Sequence, residues 1–100
     1  YLPNYIDSSF IDTAKPFFTA QEIYHLWLRV HIAYKKSKVS KALPEVIGVV
    51  NTALKQTVFL YKQGKIKRSL KGYFYRLAEN YLAVEKRKEK KHLFYNWLEA

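Results

Sequence analysis

The sequence predicts an all-α fold, a compact bundle of about four to five helices. Apolar residues recur at helical spacing in three separate stretches of the chain. Each of these stretches begins at a residue pattern that is typical of a helix start. Hydrophobic residues make up 49% of the 100 residues, which is enough to fill one modest core and argues against intrinsic disorder.

We expect residues 1–100 to form a single helical domain, because the chain contains neither an internal repeat nor a low-complexity linker. The first residue is Tyr1, and no methionine occurs anywhere in the chain. Since a natural chain starts with methionine, the sequence predicts a segment cut from a longer protein.

Residues 1–18 are interpreted as an N-terminal arm that contains one short helix. Asp7 is a suitable cap for a helix over Ser8–Ala14, and Pro16 ends it. We expect the arm to lie on the core through its apolar side chains, which are Phe10, Ile11, Phe17 and Phe18.

The first main helix is predicted over residues 19–36. Thr19 followed by Glu22 forms a capping box, in which each side chain accepts a hydrogen bond from a free amide of the first turn. The stripe that is predicted to face the core consists of Ile23, Leu26, Trp27, Val30, Ala33 and Tyr34.

The second main helix is predicted over residues 44–62, with Pro44 in its first turn and Gly64 just past its end. The β-branched run at residues 46–50 is also compatible with a strand. A periodic stretch of roughly 18 residues is too long for an ordinary strand, so helix is favoured. The core-facing stripe is predicted to be Val46, Val50, Ala53, Leu54, Thr57 and Tyr61.

The third main helix is predicted over residues 69–91, with Ser69 as its cap. Its core-facing stripe is predicted to be Leu70, Tyr73, Leu77, Tyr81 and Val84. Residues 92–100 form a short C-terminal apolar segment. This segment either continues the helix and docks back on the bundle, or serves as a handle for another chain.

Catalytic and metal chemistry are not indicated. The chain has no cysteine, which excludes disulfides and cysteine-based zinc sites and fits a cytoplasmic protein. His25 and His31 are six residues apart, so they point about 240° apart around a helix and cannot share a metal ion. Three glycines are too few for a phosphate-binding loop. We therefore expect no enzyme activity and no cofactor.

The net charge of +10 is placed unevenly. Residues 1–34 carry −1 and residues 35–100 carry +11, which implies an acidic partner such as nucleic acid, an anionic membrane surface or an acidic protein patch. An equally weighted alternative is a solvated face that only keeps the protein soluble. The candidate nucleic-acid contacts are Lys62, Lys65, Lys67, Arg68, Lys71, Arg76, Lys86, Arg87, Lys88, Lys90 and Lys91.

Nine tyrosines also allow stacking on the bases of a single strand. Most of them fall on the apolar stripes, which favours core packing for those residues. Tyr75 is expected to be the most exposed exception. The candidate contacts to a protein partner are Tyr75, Tyr81, Phe94 and Trp97.

Three segments together resemble a known family. Pro16-Phe17-Phe18 leads into the run from Glu22 to Trp27, and the run from Lys71 to Leu77 follows later. Over roughly residues 3–84 the chain resembles the C-terminal domain of RepA-type plasmid replication initiators from Gram-positive bacteria, which is similar to the DnaD-like primosome module. The DnaD-like signature is a Tyr, an aliphatic residue four positions on and a Trp four further on. Its positions correspond to Tyr73, Leu77 and Tyr81, with Tyr81 in place of the Trp.

The resemblance implies a DnaD-like fold and a role in plasmid replication initiation. Such a domain recruits the host replication machinery, with primase as the favoured partner, a helicase or helicase loader as a further one, and non-specific DNA binding as an accessory activity. Two alternatives stay open. One is a stand-alone, non-specific DNA-binding module. The other is a membrane-surface module that uses residues 86–97, with Phe94 and Trp97 as anchors.

Overall fold

A computed structural model describes the backbone of residues 5–66 and 69–99 and the side chains of residues 5–66 and 69–89. In this part of the chain there are four helices and no strand, so the all-α prediction is confirmed with four helices. They are α1 (Ser8–Ala14), α2 (Ala20–Ser37), α3 (Leu43–Lys62) and α4 (Leu70–Glu99).

Helix α4 runs without a break through the two stretches that the sequence analysis separated at residue 91. The chain has no glycine or proline after Gly72, so nothing in the backbone interrupts the helix. Two ion pairs of i,i+3 spacing, Lys88 with Glu85 and Lys86 with Glu89, also lie within the charged run. Continuation of the helix, one part of the first alternative for residues 92–100, is therefore observed as far as Glu99, whereas docking on the bundle and a role as a handle stay predictions.

The predicted helix starts depend on local hydrogen bonds. The Asp7 carboxylate accepts from the amides of Ser9 (2.8 Å) and Phe10 (3.3 Å) at the start of α1. At the start of α2, the Thr19 hydroxyl accepts from the Glu22 amide at 3.2 Å, and the Glu22 carboxylate accepts from the Thr19 amide at 2.9 Å. These reciprocal bonds confirm the capping box and hold the pKa of Glu22 below its ordinary value.

The later helix boundaries follow the same local rules. Pro44 lies in the first turn of α3. Gly64 has φ = 71°, a left-handed conformation that favours glycine, and its amide donates to the Tyr61 carbonyl at 3.0 Å. The Ser69 hydroxyl accepts from the Gly72 amide at 3.2 Å, as expected of the cap of α4.

Helix α4 packs against both α2 and α3, and α1 packs against α3. Phe10 lies where these elements meet, with its ring centroid 5.2 Å from that of Trp27 and 6.2 Å from that of Phe74. The N-terminal arm thus reaches the core through Phe10, as predicted. Phe17 does not, because 45% of its surface is exposed at the end of the bundle.

The buried face of α4 differs from the predicted stripe. Phe74, Ala78 and Leu82 are buried, whereas Tyr73 and Val84 are exposed. The other members of the predicted stripe, Leu70, Leu77 and Tyr81, flank the core and are half-buried. The predicted face is therefore rotated by one residue. On α3, Tyr61 was likewise predicted to face the core but is 55% exposed, and the stripe ends instead at Thr57 and Val58.

Candidate nucleic-acid interface

The outward face of α4 consists of exposed residues that recur every three or four positions: Tyr73, Arg76, Asn80, Val84 and Arg87. It lies opposite the buried face described above. Arg76 and Arg87 are eleven residues apart, which places them within about 20° of each other around the helix and about 16 Å apart along its axis. Two guanidinium groups thus point from one helix face into solvent.

Carboxylates within the described part of α4 lie off this face and have cationic partners. Glu79 contacts Lys36 of α2 at 3.4 Å, Glu85 contacts Lys88 at 3.6 Å, and Glu89 contacts Lys86 at 3.8 Å. Lys86 and Lys88 are therefore partly neutralised. No described carboxylate lies within 4 Å of Arg76 or Arg87, so these two keep most of their charge for an external anion.

Glu89 has a second contact that fastens α4 to the connection between α2 and α3. The Ser40 amide donates to both carboxylate oxygens of Glu89, each at 3.2 Å. Although burial raises the pKa of Glu89, the hydrogen bonds from Ser40 outweigh it, and the pKa lies below its ordinary value. The middle of α4, from which Arg87 projects, is thus held in place by contacts outside the helix.

Two of the described lysines at and beside the turn after α3 have contacts other than the outward face of α4. Lys62 and Lys65 are exposed, and the Lys62 ammonium lies 4.4 Å from the centroid of the Phe17 ring. Lys71 is half-buried, with its Nζ 3.4 Å from Nδ1 of His25 on α2. Lys71 and Arg76 are five residues apart, which is about 140° around the helix, so these two candidate contacts lie on different sides of α4.

Several candidate residues lie outside the described part of the structure. Lys67 and Arg68 belong to the undescribed residues of the turn. The backbone of α4 includes four further candidates whose side chains are not described: Lys90, Lys91, Phe94 and Trp97. The predictions made for these six residues stay predictions.

The tyrosines with a predicted role lie in two environments. Tyr73 is exposed at the edge of the outward face, and Tyr81 and Leu77 are half-buried beside the core. Tyr75 also packs against the core, so its expected exposure was wrong. A hydrogen bond to Glu79, together with burial, raises the pKa of the Tyr75 hydroxyl.

Sequence reasoning missed a second surface feature, a cleft around Phe17 at the end of the bundle. One cavity of about 220 Å³ is lined by Thr13, Phe17, Lys55, Val58, Phe59 and Lys62. Phe17 also lines a neighbouring cavity of about 420 Å³ that reaches Tyr61 and Lys71. The available signal was Phe59, a large aromatic residue that does not belong to the predicted stripe of α3 and that is 56% exposed.

Two further structural features bear on membrane insertion and on metal binding. None of the helices in the described ranges is both long and apolar enough to cross a membrane. Within the same ranges, no group of three histidine or carboxylate side chains converges as metal ligands would.

Comparisons with protein families, with curated proteins and with solved structures found no match to this chain.

Proposed function

We propose that this chain is a recruiting domain of a plasmid replication initiator, and that it contacts DNA through the outward face of α4. The observation that carries the DNA contact is the pair Arg76 and Arg87 on one exposed face without a neighbouring carboxylate. The recruiting role is supported by the resemblance of residues 3–84 to such initiators. The protein partners proposed are host primase and a helicase or helicase loader, in the cytoplasm, and no catalytic role is proposed.

A rigid helix face with spaced guanidinium groups suits the DNA backbone. Phosphate contacts position a protein on the duplex and carry no sequence information, and they make affinity fall steeply with salt. The net charge of +10 adds long-range attraction to the same partner. We therefore expect binding that is weakly dependent on sequence and strongly dependent on ionic strength.

The DNA contact is tested by fluorescence anisotropy with a labelled duplex at several salt concentrations. Each phosphate contact contributes about −0.9 to the slope of log K against log salt, so the double variant R76Q/R87Q should reduce the magnitude of the slope by roughly 1.8. The matched control is K35Q/K41Q, which removes two exposed lysines from other parts of the bundle. An equal loss in both double variants would show that only net charge matters, and would contradict the proposed face.

The recruiting role is tested separately with purified primase. We expect the chain to retain primase on a column at moderate salt, with R76Q/R87Q retaining as much as the unmodified chain. If primase and helicase both fail to bind at low salt while DNA binding persists, the stand-alone DNA-binding module becomes the better assignment. That second candidate is favoured by the same arginine pair, because it needs no protein partner.

A further inference from the structure

Two exposed aromatic side chains, Phe17 and Phe59, meet at the Phe17 cleft, which we define by the six residues that line its smaller cavity: Thr13, Phe17, Lys55, Val58, Phe59 and Lys62. Phe17 is 45% exposed and Phe59 is 56% exposed. A single exposed apolar residue is ordinary, whereas a concave cluster of them marks an interaction site. The cleft is on a different part of the bundle from the outward face of α4.

The size of the cavity indicates the kind of group that it can accept. Small-molecule sites usually enclose roughly 300–1,000 Å³. The cavity against Val58 and Phe59 has about 220 Å³, which is below that range and suits one large apolar side chain. Interfaces between proteins are commonly anchored by one such side chain in a well-packed pocket.

The charges at the rim indicate the character of the segment that carries this side chain. Lys55 and Lys62 are seven residues apart on α3, so they lie on one side of the helix about 10 Å apart along its axis. Phe59 lies between them, and the lining includes no carboxylate. These positions suit an apolar anchor with acidic residues on both sides. A second copy of the chain is disfavoured, because each copy carries +10.

The polar groups of the cleft favour a peptide over a nucleobase. A base would bring nitrogen and oxygen atoms on its edges into the cavity, where each needs a hydrogen-bond partner. The Thr13 hydroxyl already donates to the Ser9 carbonyl at 2.9 Å, and the walls at Val58 and Phe59 offer only carbon. An apolar side chain has no such requirement.

We propose that the Phe17 cleft binds a short acidic segment of a protein partner, with one large apolar side chain in the cavity and carboxylates paired with Lys55 and Lys62. The cleft gives the proposed recruiting role a binding site, and only this link to recruiting rests on the proposed function. The Lys62 ammonium, 4.4 Å from the Phe17 ring, lies where it can contact both the ring and an incoming carboxylate.

The test uses the full chain and a labelled peptide of sequence DEFDELDE, measured by fluorescence anisotropy. The matched probe DESDESDE has the same charge and no apolar side chain, and it should bind at least tenfold more weakly. Truncation of an anchor contact typically weakens binding by about 30-fold, which is the loss expected for Phe59→Ala. Two exposed ion pairs predict a roughly 2- to 30-fold loss for K55Q/K62Q.

The control variants are Leu28→Ala and Lys35→Gln, which alter exposed residues of α2 and should change peptide affinity less than twofold. Equal binding of the two peptides, absence of binding, or equal losses in the control variants would overturn the proposal. A competition experiment with a poly-dT oligonucleotide gives one more outcome that would overturn the proposal. If the oligonucleotide displaces the peptide from the unmodified chain and also binds less tightly to Phe59→Ala, the occupant of the cleft is nucleic acid.

The variant R76Q/R87Q separates this proposal from the proposed function. It should lose duplex binding and keep peptide binding. Loss of both peptide and primase binding in Phe59→Ala, with duplex binding intact, supports the cleft as the recruiting site and as separate from the outward face of α4. Peptide binding by a chain that retains no primase leaves the cleft assignment standing and contradicts only the recruiting partner.

Discussion

Replacement of Phe74 by alanine tests which face of α4 is buried. Phe74 is fully buried and its ring lies 6.2 Å from that of Phe10, whereas its neighbour Tyr73 is 36% exposed. The two residues differ by about 100° around the helix. They therefore provide a matched pair of aromatic truncations, one toward the core and one toward the outward face.

The magnitude follows from the area that each side chain removes from water. A fully buried aromatic residue removes about 150–250 Å², and at about 25 cal/mol per Å² this is worth roughly 4–6 kcal/mol. Because alanine retains part of that area, we expect Phe74→Ala to cost about 3–5 kcal/mol, as buried Phe-to-Ala substitutions do. Tyr73→Ala should cost less than about 1 kcal/mol, because much of its ring stays in water and alanine is the better helix former.

The assay is urea denaturation followed by the fluorescence of Trp27, which is buried beside Phe10. A protein of this size has a total stability of about 5–15 kcal/mol, so Phe74→Ala could leave part of the population unfolded. Phe74→Leu, with an expected loss of about 1 kcal/mol, keeps the comparison measurable. A loss in Tyr73→Ala that equals or exceeds the loss in the Phe74 variants would refute the register of α4.

Four further substitutions test local features of the fold. Thr19→Ala removes one half of the capping box and should lower the free energy of unfolding by about 1 kcal/mol, which urea denaturation measures; an unchanged midpoint would contradict the role of the cap. Gly48→Ala should stabilise α3 by about 0.5–1 kcal/mol in the same assay, since no neighbouring group lies within 4 Å of an added Cβ. Gly64→Ala should instead destabilise the protein, because Gly64 has a positive φ. The pKa of Glu89 is lowered in the folded state. The stabilisation that the Glu89 carboxylate gives to the fold is therefore present above pH 4.5, its ordinary pKa, and is lost as the pH falls through the folded pKa. Acid titration should therefore show a shallower loss of stability for Glu89→Gln between about pH 5 and pH 3, and an unchanged curve would argue against the Ser40 contact.

The sequence allowed the helices to be located because their boundaries depend on neighbours within four residues. Asp7, Thr19 and Ser69 each accept a hydrogen bond from the first turn of the helix that they precede, and Gly64 supplies the left-handed conformation past the end of α3. The stripes of α2 and most of α3 were also predicted correctly, since most of the residues that were assigned to them at helical spacing are buried.

The register of α4 was not predictable from spacing. Two adjacent faces of α4 both have apolar or aromatic residues at helical spacing. One face has Tyr73, Leu77 and Tyr81, and the other has Phe74, Ala78 and Leu82. The structure buries Phe74, Ala78 and Leu82. Ala78 permits close approach of the neighbouring helices, and the tyrosines lie at the margin, where a hydroxyl can reach water or a partner. Tertiary packing makes this choice, because both alternatives satisfy the local rules equally.

The residue types and their spacing predicted by themselves that the chain is helical, and the net charge of +10 led us to propose an acidic partner. Only the tertiary structure decided which cations share a surface. It turns Lys71 toward His25 of α2, pairs Lys86 with Glu89, and leaves Arg76 and Arg87 together on the outward face. It also brings Phe17, which lies between α1 and α2, next to Lys55 and Phe59 of α3 in one cleft. Helix caps are contacts between residues that are close in the sequence. Surfaces and clefts depend instead on how the helices are rotated against one another, and packing of the whole core determines that rotation.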